Sequence, residues 1–318
     1  MTDELSTLNE LNWGYRASKV LHVANSLDIF TILGGKAMTV EQIVSRTGSN
    51  PEMMEKLLIA CVSLGLLAKH GDKYANCQLS KQYLVHGEPL YQGDIIRHSG
   101  KVWNFWSGLE EYVSTGNRKV SIEPDDHRSF ILGMHNVAVA GRVQLFLDSV
   151  DLSGKSKMFD VGGGPGTYSL SACKRYRELS STIFDLPETI AITKEFIEKD
   201  GLQDRVRARA GDWEEDDFGR GNDVVLLSNV MHGPTSKAES ILCKAYDSMV
   251  DDGLLVIQEF LLNDEKTGPV IAALFNVMVG AYSREELFSV VEASGFCDVK
   301  LAAEDEKIGS SLVTARKK

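Results

Sequence analysis

The chain has 318 residues, 43% hydrophobic and 25% charged, with 34 Lys and Arg against 45 Asp and Glu and a formal net charge of −11. That balance argues against a general nucleic-acid binder, which needs a basic surface to displace counterions from phosphates, and the length predicts two domains, each able to bury its own core. The five cysteines, Cys61, Cys77, Cys173, Cys243 and Cys297, lie far apart with no Cys-x-x-Cys pair. Neither a disulfide framework nor a zinc site is expected, and the thiols read as reduced and mostly buried in a cytoplasmic protein.

The N-terminal stretch MTDELSTLNELNWG carries acidic residues where a signal peptide carries basic ones. No run reaches the roughly 18 apolar residues of a membrane span, so a soluble protein with no membrane partner is expected.

Residues 12–86 read as short helices joined by tight turns. Val20, Leu21, Ala24 and Leu27 recur at helical spacing between Trp13 and Leu33, and Gly34-Gly35 stops the run. Thr39 with Gln42 three residues on predicts a capping box. Gly48-Ser49-Asn50-Pro51 turns into a helix carrying Met54, Leu57, Leu58, Cys61 and Leu64, and two short strand-like pieces flank His70-Gly71-Asp72. Helix-turn-helix followed by a small β-wing is a winged-helix pattern. Residues 1–90 hold eight Lys and Arg against nine Asp and Glu, so the pattern reads as a dimerisation module rather than a DNA reader.

Residues 87–150 are helical and rich in aromatics. His98, Trp103, Phe105, Trp106 and Leu109 fall roughly on one face, Thr115-Gly116-Asn117 breaks the run, and Phe130–Val150 forms another apolar helix with Met134 and His135. From Lys157 strand-like runs alternate with helices: KMFDVG, STIFD, VRARAGD, DVVLLSN and GLLVIQEF, then two late pieces near 297–302 and 310–315. This alternation implies an α/β domain with a parallel sheet covered on both faces.

The segment Asp160-Val161-Gly162-Gly163-Gly164-Pro165-Gly166 leaves a strand and opens a helix near Thr167. Glycines let the chain turn sharply and let a ligand approach the backbone, and the first turn of an open α/β sheet is where nucleotide-like ligands sit. No Gly-Lys-Ser/Thr follows, which excludes a P-loop, and Thr167 occupies the third glycine position of the dinucleotide fingerprint. Asp185 ends the next strand, placed to accept from both ribose hydroxyls, with the plainer alternative of capping the helix at Leu186. Gly211-Asp212-Trp213 follows the third strand, offering an acceptor for an adenine amino group and a ring to cover the base.

With these residues assembled, the chain resembles the class I SAM-dependent methyltransferases, and more narrowly the dimeric small-molecule O-methyltransferases of the caffeic acid and acetylserotonin type with their bacterial natural-product relatives. The likeness covers nearly the whole chain and is carried by Gly14-Tyr15, LDIFTIL, SLGLLAK, WNFWSGLEEYVSTG, FDVGGGPGTYSL, FDLPETI, GDW, the His232 segment, GLLVIQEFLL and EASGF. It implies a Rossmann-like seven-stranded SAM-binding domain over 101–318, with a helical linker at 101–150, behind an all-α, winged-helix dimerisation domain over 1–100. It implies SAM as methyl donor, no metal, a homodimer and a small-molecule acceptor. On the resemblance, Asp160, Gly162, Gly164, Asp185, Leu186, Asp212, Trp213, Ser228 and Asn229 hold the cofactor. Trp103, Trp106, Met134, His135, Phe275, Met278 and Tyr282 line the acceptor pocket.

Methyl transfer from a sulfonium is an in-line displacement, so placement of the acceptor matters most, and a hydroxyl acceptor also needs a base. In relatives that base is the His of a His-Asp-Trp motif. Here the segment is His232-Gly233-Pro234, with Glu259 matching a carboxylate that flanks the base. The second such Glu is missing, because Gly280-Ala281-Tyr282-Ser283 replaces a longer Gly-x-Glu-Arg-Thr stretch, and Asn276 stands in a region where the family often has Asp. Either His232 is a base supported by Glu259 and Tyr282, or the acceptor is already nucleophilic, as a thiolate, thioether, carbanion or acidic hydroxyl. Rival readings are an NAD-dependent oxidoreductase, for which the third glycine is missing, a SAM-sensing regulatory protein, and a family member performing another reaction.

Overall fold

A computed structural model describes residues 3–117 and 127–318. The chain divides into two compact units, one up to Asn136 and one from Val137 onward.

The first unit opens with α1 (Asp3–Ser26) and α2 (Ile29–Leu33). The sequence pattern predicts one helix through Leu33, whereas the chain breaks at Asp28, whose φ of 56° is left-handed. That break lets Ile29, Phe30 and Leu33 all turn inward and become buried. Next come β1 (Met38–Thr39), α3 (Val40–Thr47), α4 (Pro51–Ser63), β2 (Leu67–His70), β3 (Lys73–Asn76) and α5 (Gln78–Tyr83). Thr39 and Gln42 form the expected capping box on α3, and Asn50 caps α4 with Pro51 in its first turn. The three strands pair in the order β1-β3-β2 behind the helix-turn-helix, which is the winged-helix arrangement. Ala24, Ile43, Leu58 and Cys61 centre its core. The unit continues with α6 (Gly93–Ser107), α7 (Leu109–Thr115) and α8 (His127–Val137).

A π-turn at Ala138–Arg142 joins α8 to α9 (Val143–Ser149). The stretch His127–Ser149 is long and apolar enough by length and composition to cross a membrane, which corrects the expectation that no run reaches that size. Core helices share that length and composition, and this stretch is bent at Gly141 (φ 135°), carries the buried Arg142, and sends Ala138 and Phe146 into the core of the second unit.

The second unit holds β4 (Lys157–Val161), α10 (Thr167–Arg175), β5 (Ser180–Asp185), α11 (Pro187–Asp200), β6 (Val206–Ala210), β7 (Asn222–Ser228), α12 (Ala238–Ser248), β8 (Met249–Glu259), α13 (Val270–Met278), α14 (Arg284–Ala293), β9 (Cys297–Asp305) and β10 (Ser310–Arg316). Seven strands form one sheet, β6-β5-β4-β7-β8-β10-β9. The first five run parallel, and β10 is antiparallel to both neighbours. Because side chains alternate along a strand, Phe159, Val161, Val225 and Leu227 enter one core with α12 and α14. Met158, Val224 and Leu226 enter the other with α9, α10 and α11. Chain order reverses between β4 and β7, so the carboxyl ends of these two strands open the crevice where such sheets bind ligands.

Candidate active site

The glycine loop spans the crevice between β4 and α10. The amides of Gly162 and Gly163 donate to the Phe184 carbonyl at 2.8 and 3.3 Å, and the Gly164 amide donates to Asp185 Oδ2 at 2.7 Å. The Leu186 amide donates to Asp185 Oδ1 at 2.7 Å. Asp185 thus ties the loop to the end of β5 while keeping lone pairs for a further donor. A β-carbon built on Gly162 would stand 2.6 Å from Val230 Cγ1 and 2.9 Å from Trp213 Cζ3, whereas one on Gly164 meets nothing within 4 Å. The loop therefore rests on Val230 and Trp213 and leaves open space at Gly164.

Beneath the loop the Asp160 carboxyl is 1% exposed and accepts from Ser169 Oγ at 2.6 Å, while its Oδ1 has no partner. Burial pushes its pKa up to about 7, with the Ser169 hydrogen bond opposing and the Asp185 charge adding. Asp212 Oδ1 accepts from the Glu214 amide at 2.8 Å, and Lys244 on α12 donates to the carbonyls of Trp213, Glu214 and Asp216 at 2.6–3.0 Å. This turn holds the half-buried Trp213 ring against the glycine loop.

Beyond β7, Asn229 adopts φ 53°, and its Nδ2 and the hydroxyls of Ser228 and Tyr168 all donate to Gln258 Oε1, at 3.0, 2.7 and 2.9 Å. His232 follows, its side chain 31% exposed, with Nδ1 3.2 Å from Oε2 of the buried Glu259. The other Glu259 oxygen accepts from the Met231 amide at 2.9 Å. A carboxylate at this position makes Nδ1 the protonated nitrogen and leaves Nε2 as an acceptor. Burial lowers the His232 pKa, but the hydrogen bond and charge of Glu259 prevail and raise it above its ordinary value.

The residues expected around the acceptor fall in both units. In the first, Trp103 packs on α1 beside Tyr15 and His22, at centroid distances of 6.5 and 5.9 Å, Trp106 is 38% exposed, and Met134 and His135 are half-buried. In the second, Phe275 stacks on Phe260 at 4.0 Å, Met278 is half-buried, and Tyr282 is 4% exposed within the core that backs the sheet. The Tyr282 hydroxyl faces Ser236, and burial raises its pKa.

Three residues near these groups escaped the sequence reading: Arg142, Tyr168 and Gln258. No local pattern announces them, although a lone Gln at the apolar end of the strand GLLVIQEF was a usable signal. Among the described residues no group of three or more His, Cys, Asp and Glu is placed to hold a metal.

A seven-stranded sheet with a glycine loop, an acidic residue ending the second strand of its sequence and a base-like histidine after the fourth defines a nucleotide-dependent group-transfer enzyme of the methyltransferase class. The O-methyltransferase domain matches residues 94–295 and the O-methyltransferase dimerisation domain residues 9–86, and the chain belongs to this family. It is 32% identical to 3-hydroxy-5-methyl-1-naphthoate 3-O-methyltransferase of Streptomyces sahachiroi over 87% of this chain and 84% of that one. It is 29% identical to acetylserotonin O-methyltransferase of Gallus gallus, covering 91% of each. The fold matches human N-acetylserotonin methyltransferase in complex with SAM with a TM-score of 0.89 and 23% identity, over 100% of this chain and 98% of that one. The chain is a SAM-dependent methyltransferase of small molecules carrying a dimerisation domain.

Proposed function

We propose that the chain methylates a hydroxyl on a small, partly aromatic acceptor, with His232 as general base and Glu259 orienting it. SAM supplies a methyl group on a sulfonium, an electrophile that needs no further activation. Bound at the glycine loop, SAM would supply its methyl group to the acceptor oxygen, and His232 Nε2 would take the hydroxyl proton. Asp160, Gly162, Gly164, Asp185, Leu186, Asp212, Trp213, Ser228 and Asn229 hold the cofactor in this reading. Phe275, Met278 and Tyr282 of the second unit contact the acceptor in this reading, and Trp103, Trp106, Met134 and His135 of the first unit are the further candidates for acceptor contact.

The observation that carries it is the 3.2 Å pairing of His232 Nδ1 with Glu259, which fixes the tautomer a base requires. Hydroxyaromatic acceptors are favoured by the likeness to the naphthoate enzyme. The dimerisation domain supports a homodimer, the net charge of −11 disfavours nucleic acid, and five unpaired cysteines suit the cytoplasm.

Replacing His232 with Ala tests the role of the base. Turnover falls by about a hundredfold or more with SAH binding intact if His232 takes the proton. A small effect instead favours the second reading, in which a sulfur or carbon acceptor reacts by placement alone; the missing second carboxylate at Gly280-Ala281-Tyr282-Ser283 supports that alternative. Incubation with methyl-labelled SAM and a metabolite extract identifies the acceptor.

A further inference from the structure

The segment that carries His232 leaves β7 after Ser228 and enters α12 at Ala238, with no helix or strand between. It contains Gly233 at φ 65°, a residue whose backbone adopts many conformations unless its neighbours fix it. A base on such a loop needs a fixed backbone, because misplacing a reacting group by about 1 Å can cost roughly a hundredfold in rate.

Two grips hold the loop, one on each side of the imidazole. On the first side Glu259, at the end of β8, accepts from the Met231 amide at 2.9 Å and stands 3.2 Å from His232 Nδ1. On the second side the Gly233 carbonyl accepts from the Ser236 hydroxyl at 2.8 Å and from the Ser236 amide at 3.1 Å. The Tyr282 hydroxyl faces Ser236. Because Ser236 donates its own proton to Gly233, its oxygen is left to accept from Tyr282. Burial raises the Tyr282 pKa, the Ser236 hydrogen bond opposes, and the charges of Glu239, Glu259 and Glu286 add to the rise, so the phenol keeps its proton and stays a donor.

Both grips stand on one support. The Leu262 amide, three residues past Glu259, donates to the Tyr282 carbonyl at 2.9 Å, and Leu262 bridges to Ser283, which caps α14 through its box with Glu286. The end of β8 thus carries Glu259 directly and Tyr282 at one remove, and Tyr282 is 4% exposed in the core behind the sheet.

We propose that Ser236, backed by the Tyr282 hydroxyl, is a positioning residue that fixes Gly233 and thereby holds the His232 imidazole against Glu259 in the orientation that proton transfer needs. This rests on the reading of His232 as the base. It is independent of any contact between the Tyr282 ring and an acceptor.

The test reads His232 directly and needs no acceptor. NMR of the histidine-labelled full chain, with the His232 signal assigned by its loss in His232→Ala, gives the titration midpoint of the imidazole. In the unmutated protein that midpoint lies above 6.5. In Ser236→Ala and in Tyr282→Phe it moves down as the contact with Glu259 loosens, and the double variant moves no further than the larger single one, because both groups act through Gly233. Ser236→Thr, which keeps the hydroxyl, restores the midpoint. In Ser236→Ala and Tyr282→Phe the rate of labelled product from methyl-labelled SAM and the metabolite extract falls by about tenfold or more, while SAH affinity holds. A serine that merely closes a turn lowers the melting temperature and leaves the midpoint in place. An unmoved midpoint in either single variant, or additive shifts in the double, overturns the proposal. Turnover that survives His232→Ala overturns the base instead, a separate result.

Discussion

Gly233 and Gly280 meet backbone to backbone. A β-carbon built on Gly233 would lie 2.8 Å from the Ala281 amide nitrogen and 3.0 Å from the Gly280 carbonyl carbon, and one on Gly280 would lie 3.2 Å from the His232 carbonyl oxygen. The His232-Gly233 segment and the Gly280-Ala281 loop are therefore packed directly against one another. Gly233 carries no side chain, and the Gly280-Ala281 backbone closes against it. Asn276 fixes the loop by accepting from the Ala281 amide at 3.0 Å.

Gly233→Ala is accordingly expected to cost about 3 kcal/mol, combining the left-handed conformation of an L-residue with overpacking against backbone that cannot move aside. Gly233→Asp, which adds a larger side chain at the same close contact, costs at least as much. Gly35→Ala, with nothing within 4 Å, is the control. Denaturant unfolding measures all three, and a Gly233→Ala loss no greater than that of Gly35→Ala contradicts the close approach.

The His232–Glu259 pair predicts a pH profile. A base works when neutral, so turnover rises with pH through a limb above the ordinary histidine value of 6.5, because Glu259 raises the His232 pKa against the opposing effect of burial. In Glu259→Gln burial acts unopposed, and the limb moves below that value. Maximal turnover also falls, by about tenfold to a hundredfold, as the imidazole loses its orienting charge. The same shift has a stability consequence of known sign. A folded pKa above the unfolded one stabilises the fold at pH below 6.5, and this contribution fades as pH rises through the folded value. A rate limb at the same pH in both proteins would show that Glu259 does not set the charge of His232.

Much of this site is legible in the sequence because its parts are local. The glycine loop, the strand ends at Asp185 and Gly211-Asp212-Trp213 and the Thr39–Gln42 capping box each lie within a few consecutive residues, where turn chemistry and strand periodicity speak directly. What escapes is what the fold assembles from afar. Arg142 meets Phe260 and Ile308, Tyr168 meets Gln258 across 90 positions, and Gly233 meets Gly280 only because two loops converge. The end of α1 escaped for another reason: hydrophobic spacing continues through Asp28, but the backbone turns there so that Phe30 and Leu33 can reach the core.

Asp160 supplies a second pH-dependent property. Its carboxyl titrates at about 7 in the folded chain against 3.8 for an ordinary aspartate, chiefly through burial. Between these values the folded state keeps a proton that the unfolded state has lost, so the group's contribution to stability is full at low pH and fades as pH rises to about 7. Asp160→Asn cannot ionise and lacks this loss. Its melting temperature relative to the unmutated protein is expected to climb between pH 5 and pH 8, values set by the two pKa limits, and a difference that stays constant over that range removes the buried carboxyl from the account.

Gly162 and Gly164 look equivalent in sequence, yet the structure separates their roles. A β-carbon at Gly162 collides with Val230 and Trp213, so the protein's own packing demands glycine there. At Gly164 the space is open, and the cost of Ala is only the left-handed backbone at φ 54°, about 1 kcal/mol. Gly162→Ala should therefore lower the melting temperature markedly, with any loss of SAH affinity following from the displaced Trp213. Gly164→Ala should stay nearly as stable and still lose SAH affinity by about tenfold or more, because the methyl enters the space a ligand would use. Thermal unfolding paired with calorimetry reads both quantities on each variant. A Gly164→Ala protein that binds SAH normally would mean that the ligand does not approach the loop at that residue.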